Sequence, residues 1–280
     1  MSQNQIILQS KNGPIYRGDL IDSFKEVGLN KGDIVMVHSR IFTLGKLADI
    51  TEKEELLNIF IDILLVIIGN DGTLIFPTFT TSFCKTGLFD MKNSRSEAGV
   101  MSEIARNRPD SARTINPIHS VAIIGRHKKE LEKASGETQF NENSIFDLLH
   151  RMNNSDSTKN KVKFLTIGID VPTDNITFIH YIEEKMKVPY RYIKYFKGKI
   201  IKNGKKIESI TSFFVRDLDA NVKFDYTRCW NLFKQNNIFK INKLGNSIVC
   251  TVKEKDFYDV VRKGIQDNPD LLCFGGYKVK

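Results

Sequence analysis

The sequence predicts an α/β protein, with a mixed β-sheet flanked by helices and a C-terminal portion that contains a β-hairpin. Three observations carry that prediction. Two short apolar runs, residues 33–38 and 73–76, flank a longer run with helical start and stop signals. Strand, helix, strand on this spacing is a βαβ unit, which favours parallel pairing. The composition, 41% hydrophobic and 27% charged over 280 residues, supports a buried core and excludes disorder as the main description. After Tyr190 the character changes, and residues 195–210 alternate apolar and basic side chains about Asn203-Gly204, a hairpin signal. No internal repeat appears, and in particular no hexapeptide repeat of a left-handed β-helix. No low-complexity linker divides the chain, so residues 1–280 read as one domain.

The elements follow in order. Residues 19–28 carry apolar side chains at helical spacing and stop at a glycine. Residues 33–38 form a short buried strand. Thr51 and Glu54 make a capping-box pattern ahead of a helix over 56–68, which stops at Gly69 before the Asn70-Asp71-Gly72 turn. Residues 73–76 are a second buried strand. A helix over 100–106 ends before Pro109, and strands are expected over 120–124 and 162–169. A helix over 177–186 is closed by Pro189. Beyond the hairpin, the pattern predicts helices over 225–234 and 256–266 with a strand over 247–252.

Several function classes are excluded by what is absent. Cys84, Cys229, Cys250 and Cys273 contain no C-x-x-C pair, which argues against a disulfide scaffold and a zinc finger. Nothing near Cys84 lowers a thiol pKa, so it reads as inert. The most apolar stretch, 56–68, is too short to cross a bilayer and carries Asn58 and Asp62. Residues 1–10 lack a basic stretch followed by an apolar run, so no signal peptide and no membrane are expected, and a cytoplasmic location is. There is no G-x-G-x-x-G, Walker loop, H-E-x-x-H or G-x-S-x-G. The five histidines, His38, His119, His127, His150 and His180, lie far apart, and no metal is expected. The net charge of +9 attracts polyanions: nucleic acid, anionic membrane or phosphate-bearing small molecules. It does not choose among them, and much of it can be a solvated lysine surface.

Three loop segments carry chemistry-bearing residues. The first, His38-Ser39-Arg40-Ile41-Phe42-Thr43-Leu44-Gly45, follows a buried strand directly. Small hydroxyls and a glycine there can present backbone N–H groups to phosphate or a carbonyl oxygen. The second, residues 113–120, combines Arg113, Pro117, His119 and Ser120, and is either a structural turn or a ligand contact. In the third, His180 and Glu183 stand three apart on a helix and share a face, with Asp174 in the loop before it. That spacing suits either a general base with a fixed ring or an ordinary surface pair.

In order and spacing these segments resemble the aminoglycoside 3-N-acetyltransferase family. The matching residues are Val37-His38-Ser39 with Leu44-Gly45, Gly72-Thr73-Leu74 with Pro77-Thr78, Arg113-Thr114 with Pro117 and Ser120, and Ile167-Gly168. Asp174, Thr177, His180 and Glu183 complete the set, and the likeness covers roughly residues 15 to 190. The resemblance implies acetyl-CoA or another short acyl-CoA as donor, an amino-sugar amine as acceptor, no metal, and a homodimer. By position, His180 would take the amine proton while Glu183 and Asp174 orient its ring. His38, Ser39, Arg40, Ile41, Thr43, Leu44 and Gly45 would contact the donor, with Thr78, Arg113 and Ser120 around the same channel.

There are departures. Arg40 replaces the family's second serine, Leu47-Ala48-Asp49 replaces its glycine pair, and Asn116 stands where the family has histidine, with His119 nearby. Aminoglycosides are polycations, whereas this chain is net basic, with six lysines between Lys194 and Lys206. Relatives that acylate nucleotide-linked amino sugars have tails similar to Pro189–Lys194. The acceptor expected here is therefore a nucleotide-linked dideoxyamino sugar for surface polysaccharide. The alternatives are an aminoglycoside or, from another class, a basic nucleic-acid-binding protein, which lacks the expected recognition signatures.

Overall fold

Alternate residues of the strand Ile34–Ser39 enter different cores, as period-two geometry requires. Ile34 and Met36 join Ile75, Val121 and Phe164 on one face, while Val35 and Val37 join Leu74, Phe76 and Leu165 on the other. The structure is a computed structural model that describes residues 3–48, 52–169, 176–218 and 222–274. Ile34–Ser39 is the centre of a seven-stranded sheet. From one edge the order is Phe239–Leu244, Ser247–Lys253, Val162–Ile167, Ile34–Ser39, Thr73–Pro77, Val121–Gly125 and Ala112–Arg113. The central strand runs parallel to both neighbours and every other pairing is antiparallel, so the sheet is mixed. The fold is α/β with helices on both faces.

One face is covered by the helices Arg17–Glu26, Lys53–Ile68 and Val100–Asn107. The other carries Ile145–Asn154, Phe178–Met186, Thr227–Gln235 and Glu254–Asp267. Phe146, Phe164, Phe178, Phe233 and Phe257 are buried in that second core. Each such side chain contributes about 1.5–3 kcal/mol relative to exposure. The helix Lys53–Ile68 is apolar along its length because it is pinned between the sheet and its neighbours, and Gly69 at φ +66 ends it.

The βαβ unit, the helices and the hairpin stand where the pattern places them. The helix after residue 51 is not held by the expected capping box. Glu52 is its N-cap without a side-chain bond, and Thr51 lies outside the described residues. The hairpin is longer than its alternation suggests, with Arg191–Lys202 paired to Lys205–Arg216. Asn203 and Gly204 both take positive φ, the type I′ requirement. Additional elements are a small sheet of Ile6–Ser10, Gly13–Tyr16 and Lys46–Leu47, the edge strand Phe239–Leu244, and the helix Ile145–Asn154. Ser144 caps that helix by accepting from Asp147 N at 3.2 Å.

Candidate active site

The parallel strands Ile34–Ser39 and Thr73–Pro77 end at a groove of about 420 Å³. A groove beyond the C-terminal ends of parallel strands is where α/β folds bind ligands. His38, Ser39, Arg40, Phe79, Glu97 and Thr177 line it. His38 is buried, and burial pushes its pKa down to about 4, so the ring is neutral at pH 7. Its Nε2 has no hydrogen-bond partner among the described residues. The Glu97 carboxylate accepts from the Thr81 hydroxyl and from Ser82 N at 3.2 Å. Slight burial works against its ionisation, but these bonds hold its pKa below the usual carboxylate value.

The loop after Ser39 divides into lining and scaffold. Ile41–Thr43 curls into a single 3₁₀ turn, with Ile41 and Leu44 buried in the core beneath. Arg40 N donates to Ile167 O at 2.8 Å, and Thr43 N and Leu44 N donate to Arg40 O and Ile41 O at 3.0 Å each. Those three N–H groups are taken up within the protein, so the loop presents fewer donors than its composition suggests. Thr43 Oγ1 lies 2.7 Å from Arg40 O and 2.6 Å from Gly168 O. Gly45 is required by close approach, since a Cβ there would stand 2.7 Å from Gln9 O. Of the loop residues expected at the donor, His38, Ser39 and Arg40 line the groove, while Ile41, Thr43, Leu44 and Gly45 are not among its lining residues.

Thr78, Ser120 and Arg113 are not brought into the groove. Thr78 and Ser120 are fully buried, with their hydroxyls 3.1 Å apart. Arg113 Nε donates to Ser120 Oγ at 3.1 Å, Nη1 reaches Met91 O at 3.2 Å and Ser94 O at 2.6 Å, and Nη2 reaches Thr78 O at 2.8 Å and Thr80 Oγ1 at 3.0 Å. A guanidinium has five N–H donors, and all five have partners here. Burial pushes its pKa down to about 10, which leaves it charged at pH 7. Arg113 clamps the loops over 78–94 to the strand end.

His180 and Glu183 are brought together as their spacing predicts. His180 Nδ1 is 2.5 Å from Glu183 Oε2. Thr177, one turn earlier, lines the groove, so this helix connects groove and pair. Lys187, in left-handed conformation at φ +51, reverses the chain and returns the next residues to Glu183. Tyr190 Oη donates to Glu183 Oε1 at 2.9 Å, and Arg191 Nε is 3.0 Å from Glu183 Oε2. Full burial works against ionisation of Glu183, but the charges of His180 and Arg191 and the hydrogen bonds to His180 and Tyr190 hold its pKa below the usual value. With Nδ1 facing the carboxylate, Nε2 is the nitrogen left to exchange a proton with a substrate. Asp174 lies outside the described residues.

His119 is a second imidazole near this pair. Its Nδ1 is 3.0 Å from Gln139 Oε1, and Gln139 Nε2 donates to Thr211 Oγ1 at 2.6 Å. Its ring packs against Phe79 at 4.6 Å and Phe140 at 4.9 Å, and Phe140 also touches the His180 ring at 5.7 Å. Burial, aided by the nearby His180, pushes its pKa down to about 3. Asn116 holds the turn, accepting from His119 N at 2.7 Å and donating to Thr138 O at 2.9 Å. Sequence reasoning missed Tyr190, Arg191 and Gln139 as members of this site. The first two carried a legible signal in their nearness to Glu183. Among the described residues no group of three His, Cys, Asp or Glu side chains could hold a metal ion.

The family profile described as aminoglycoside 3-N-acetyltransferase matches residues 36–266. The chain is similar to aminoglycoside N(3)-acetyltransferase III of Pseudomonas aeruginosa, with 22% identity over 214 residues that span 70% of this chain and 73% of that one. Among solved structures it resembles AAC-IIIb in a binary complex with CoASH, at TM-score 0.72 and 18% identity, over 90% of this chain and 96% of that one. It also resembles aminoglycoside acetyltransferase AAC(3)-Xa, at TM-score 0.74 and 18% identity, over 91% of this chain and 94% of that one. At such identities the solved structures speak for the fold.

Proposed function

The chain belongs to the aminoglycoside 3-N-acetyltransferase family, whose members are coenzyme A-dependent N-acyltransferases, and we propose that it acylates an amine of an aminoglycoside with His180 as general base. The observation that carries this reading is the His180–Glu183 pair, held 2.5 Å apart on the helix whose N-cap, Thr177, lines the groove. As the amine nitrogen bonds to the acyl carbon, His180 Nε2 accepts its proton. The carbon–sulfur bond breaks, and the protonated ring returns the proton to the departing thiolate. Glu183 holds the ring, and Ser39 and Arg40 offer a hydroxyl and a cation to the phosphate-bearing donor. A positioned base of this kind supplies about 10²–10⁴-fold. The donor is supported by the relative whose structure contains CoASH, and the acceptor by the relatives' names. The reading takes residues 1–280 as one cytoplasmic acyltransferase domain, homodimeric as the resemblance implies. No helix of the described residues is long and apolar enough to cross a membrane.

The nucleotide-linked dideoxyamino sugar expected from net charge is the less supported acceptor. Its argument rested on the basic tail, yet Arg191 of that segment is engaged with Glu183 and His180. The lysines from Lys197 to Lys206 stand on the hairpin, and the groove itself carries Glu97 as well as Arg40. Free-thiol release from acetyl-CoA with aminoglycosides and nucleotide-linked 3- and 4-amino sugars as acceptors tests the choice. Turnover of aminoglycosides is expected. Turnover of nucleotide-linked sugars alone would reverse the assignment, and turnover of neither would remove it.

A further inference from the structure

We propose that Arg191 is a positioning residue of the acyl transfer: from the root of the hairpin, its guanidinium offsets the Glu183 carboxylate so that protonation of His180 is not over-stabilised and Nε2 stays available to the amine. The inference rests on the reading of His180 as general base. Arg191 Nε is 3.0 Å from Glu183 Oε2, and Nη2 is 3.2 Å from His180 Nδ1. Nδ1 cannot donate to the carboxylate and accept from the guanidinium at once. At 2.5 Å the carboxylate claims the hydrogen, and Nη2 then acts on the ring as a neighbouring positive charge.

The cation is held in place. Its side chain is 7% exposed, Nη1 donates to Phe214 O at 3.3 Å on the opposite hairpin strand, and the guanidinium lies 5.1 Å from the Phe224 ring centroid. Phe224 also receives Arg216, the cross-strand partner of Arg191, at 5.4 Å. The other titratable groups around the pair are Tyr190 on Glu183 Oε1, His119 from the turn before the strand Val121–Gly125, and the buried thiols of Cys229 and Cys273. A lone carboxylate against an imidazole favours the imidazolium, which cannot accept a proton. A fixed cation on the same carboxylate counters that bias without loosening the ring. The hairpin, remote in sequence from the groove loops, thereby supplies part of the base.

The test compares log(kcat/KM) against pH, with acetyl-CoA and an aminoglycoside, for the wild type, Arg191→Met, Arg191→Gln and Arg191→Lys. The neutral variants are expected to move the acidic limb to higher pH by on the order of one unit. Their deficit is then largest at acid pH and shrinks as pH rises. Arg191→Lys, which keeps the charge, is expected to retain the wild-type limb. Tyr190→Phe, which removes one donor from Glu183 at constant charge, is expected to shift the limb in the same direction by less. A loss equal at every pH in the neutral variants would overturn the proposal. Failure of both neutral variants to fold, beside a folded Arg191→Lys, would make the residue structural and overturn it too. His180→Asn separates the two layers: a wild-type rate there would sink the general-base reading itself, whereas an inactive His180→Asn with unmoved Arg191 limbs sinks only this inference.

Discussion

Two histidine–glutamate pairs with a fully buried carboxylate stand among the described residues, and only one is carried on a helix whose N-cap lines the groove. In each, Nδ1 meets a carboxylate oxygen, at 2.5 Å for His180–Glu183 and 2.7 Å for His150–Glu254. In each, the histidine side chain is 24% exposed and the glutamate 0%. Their surroundings differ. Glu183 also binds Tyr190 and Arg191, and its helix reaches the groove through Thr177. Glu254 starts a helix, its second oxygen has no hydrogen-bond partner among the described residues, and His150 packs 4.3 Å from the Tyr258 ring. Burial pushes the Glu254 carboxyl up, with His150 only partly countering it, whereas Glu183 ends below its ordinary value. A histidine–carboxylate contact is therefore not by itself a catalytic site. The partners that settle the carboxylate's charge, and a helix that starts at the groove, distinguish the two.

The largest expected difference is in activity. His180→Ala should lower kcat/KM by about 10²–10⁴-fold, while His150→Ala should leave the folded enzyme's rate unchanged. Comparable losses in both variants would erase the distinction. Next in size is stability. Glu183→Gln leaves the Arg191 guanidinium without its buried carboxylate, a loss of about 3–5 kcal/mol. Glu254→Gln keeps an acceptor for His150 and removes a poorly partnered charge, so its effect should stay within about 1 kcal/mol. Urea unfolding of both variants checks the pair. If Glu183→Gln costs no more than Glu254→Gln, the extra partners of Glu183 contribute nothing.

Arg113 sharpens the same contrast from the other side, as a buried cation whose five N–H donors all have partners within the protein. Arg113→Met strips hydrogen bonds from the buried carbonyl of Thr78 and the part-buried carbonyls of Met91 and Ser94. Each unsatisfied group costs about 1–3 kcal/mol. The folded fraction should keep its KM for acetyl-CoA, and a large rise in that KM would return Arg113 to the donor site.

The smallest effect is in the pH dependence of stability. The Glu183 pKa is depressed on folding, so its contribution is present above the ordinary value of 4.5 and is lost as pH falls through the folded value. The Glu254 pKa is raised, so its ionisation costs stability, and the cost is relieved as pH falls through its folded value. Relative to wild type, Glu254→Gln should therefore look best at neutral pH and lose its advantage on acidification. Thermal melts from pH 7 to pH 3, taken relative to wild type, should show opposite trends for Glu183→Gln and Glu254→Gln, the former appearing only below pH 4.5. Parallel trends would contradict the assignment of the two charges.

Much of the fold was legible because its signals are local. The apolar run of Ile34–Ser39, the glycine stop after Ile68 and the positive-φ Asn203-Gly204 turn each act within a few residues. The His180–Glu183 contact was legible for the same reason, as three residues on a helix meet. Arg113 was not. Its neighbours in sequence suit a structural turn or a ligand contact alike, and its partners from Thr78 to Ser94 reach it only through folding. Arg191 was legible only in part: it stands near Glu183 in sequence, but their contact needs the left-handed reversal at Lys187, which no glycine announces. The His150–Glu254 pair joins residues 104 apart and left no trace in spacing.

The central claim is that the amine takes the acyl group directly from the thioester beside His180, with no acyl group resting on the protein. Cys84, the thiol nearest the groove residues in sequence, is pushed toward the neutral form by burial, which suits that claim. Intact-protein mass spectrometry after incubation with acetyl-CoA alone, in the absence of acceptor, addresses it most directly. The expected result is an unmodified chain that nonetheless turns over when an aminoglycoside is added. An acetyl group on Cys84 or any other side chain, released on adding the acceptor at a rate matching turnover, would contradict it.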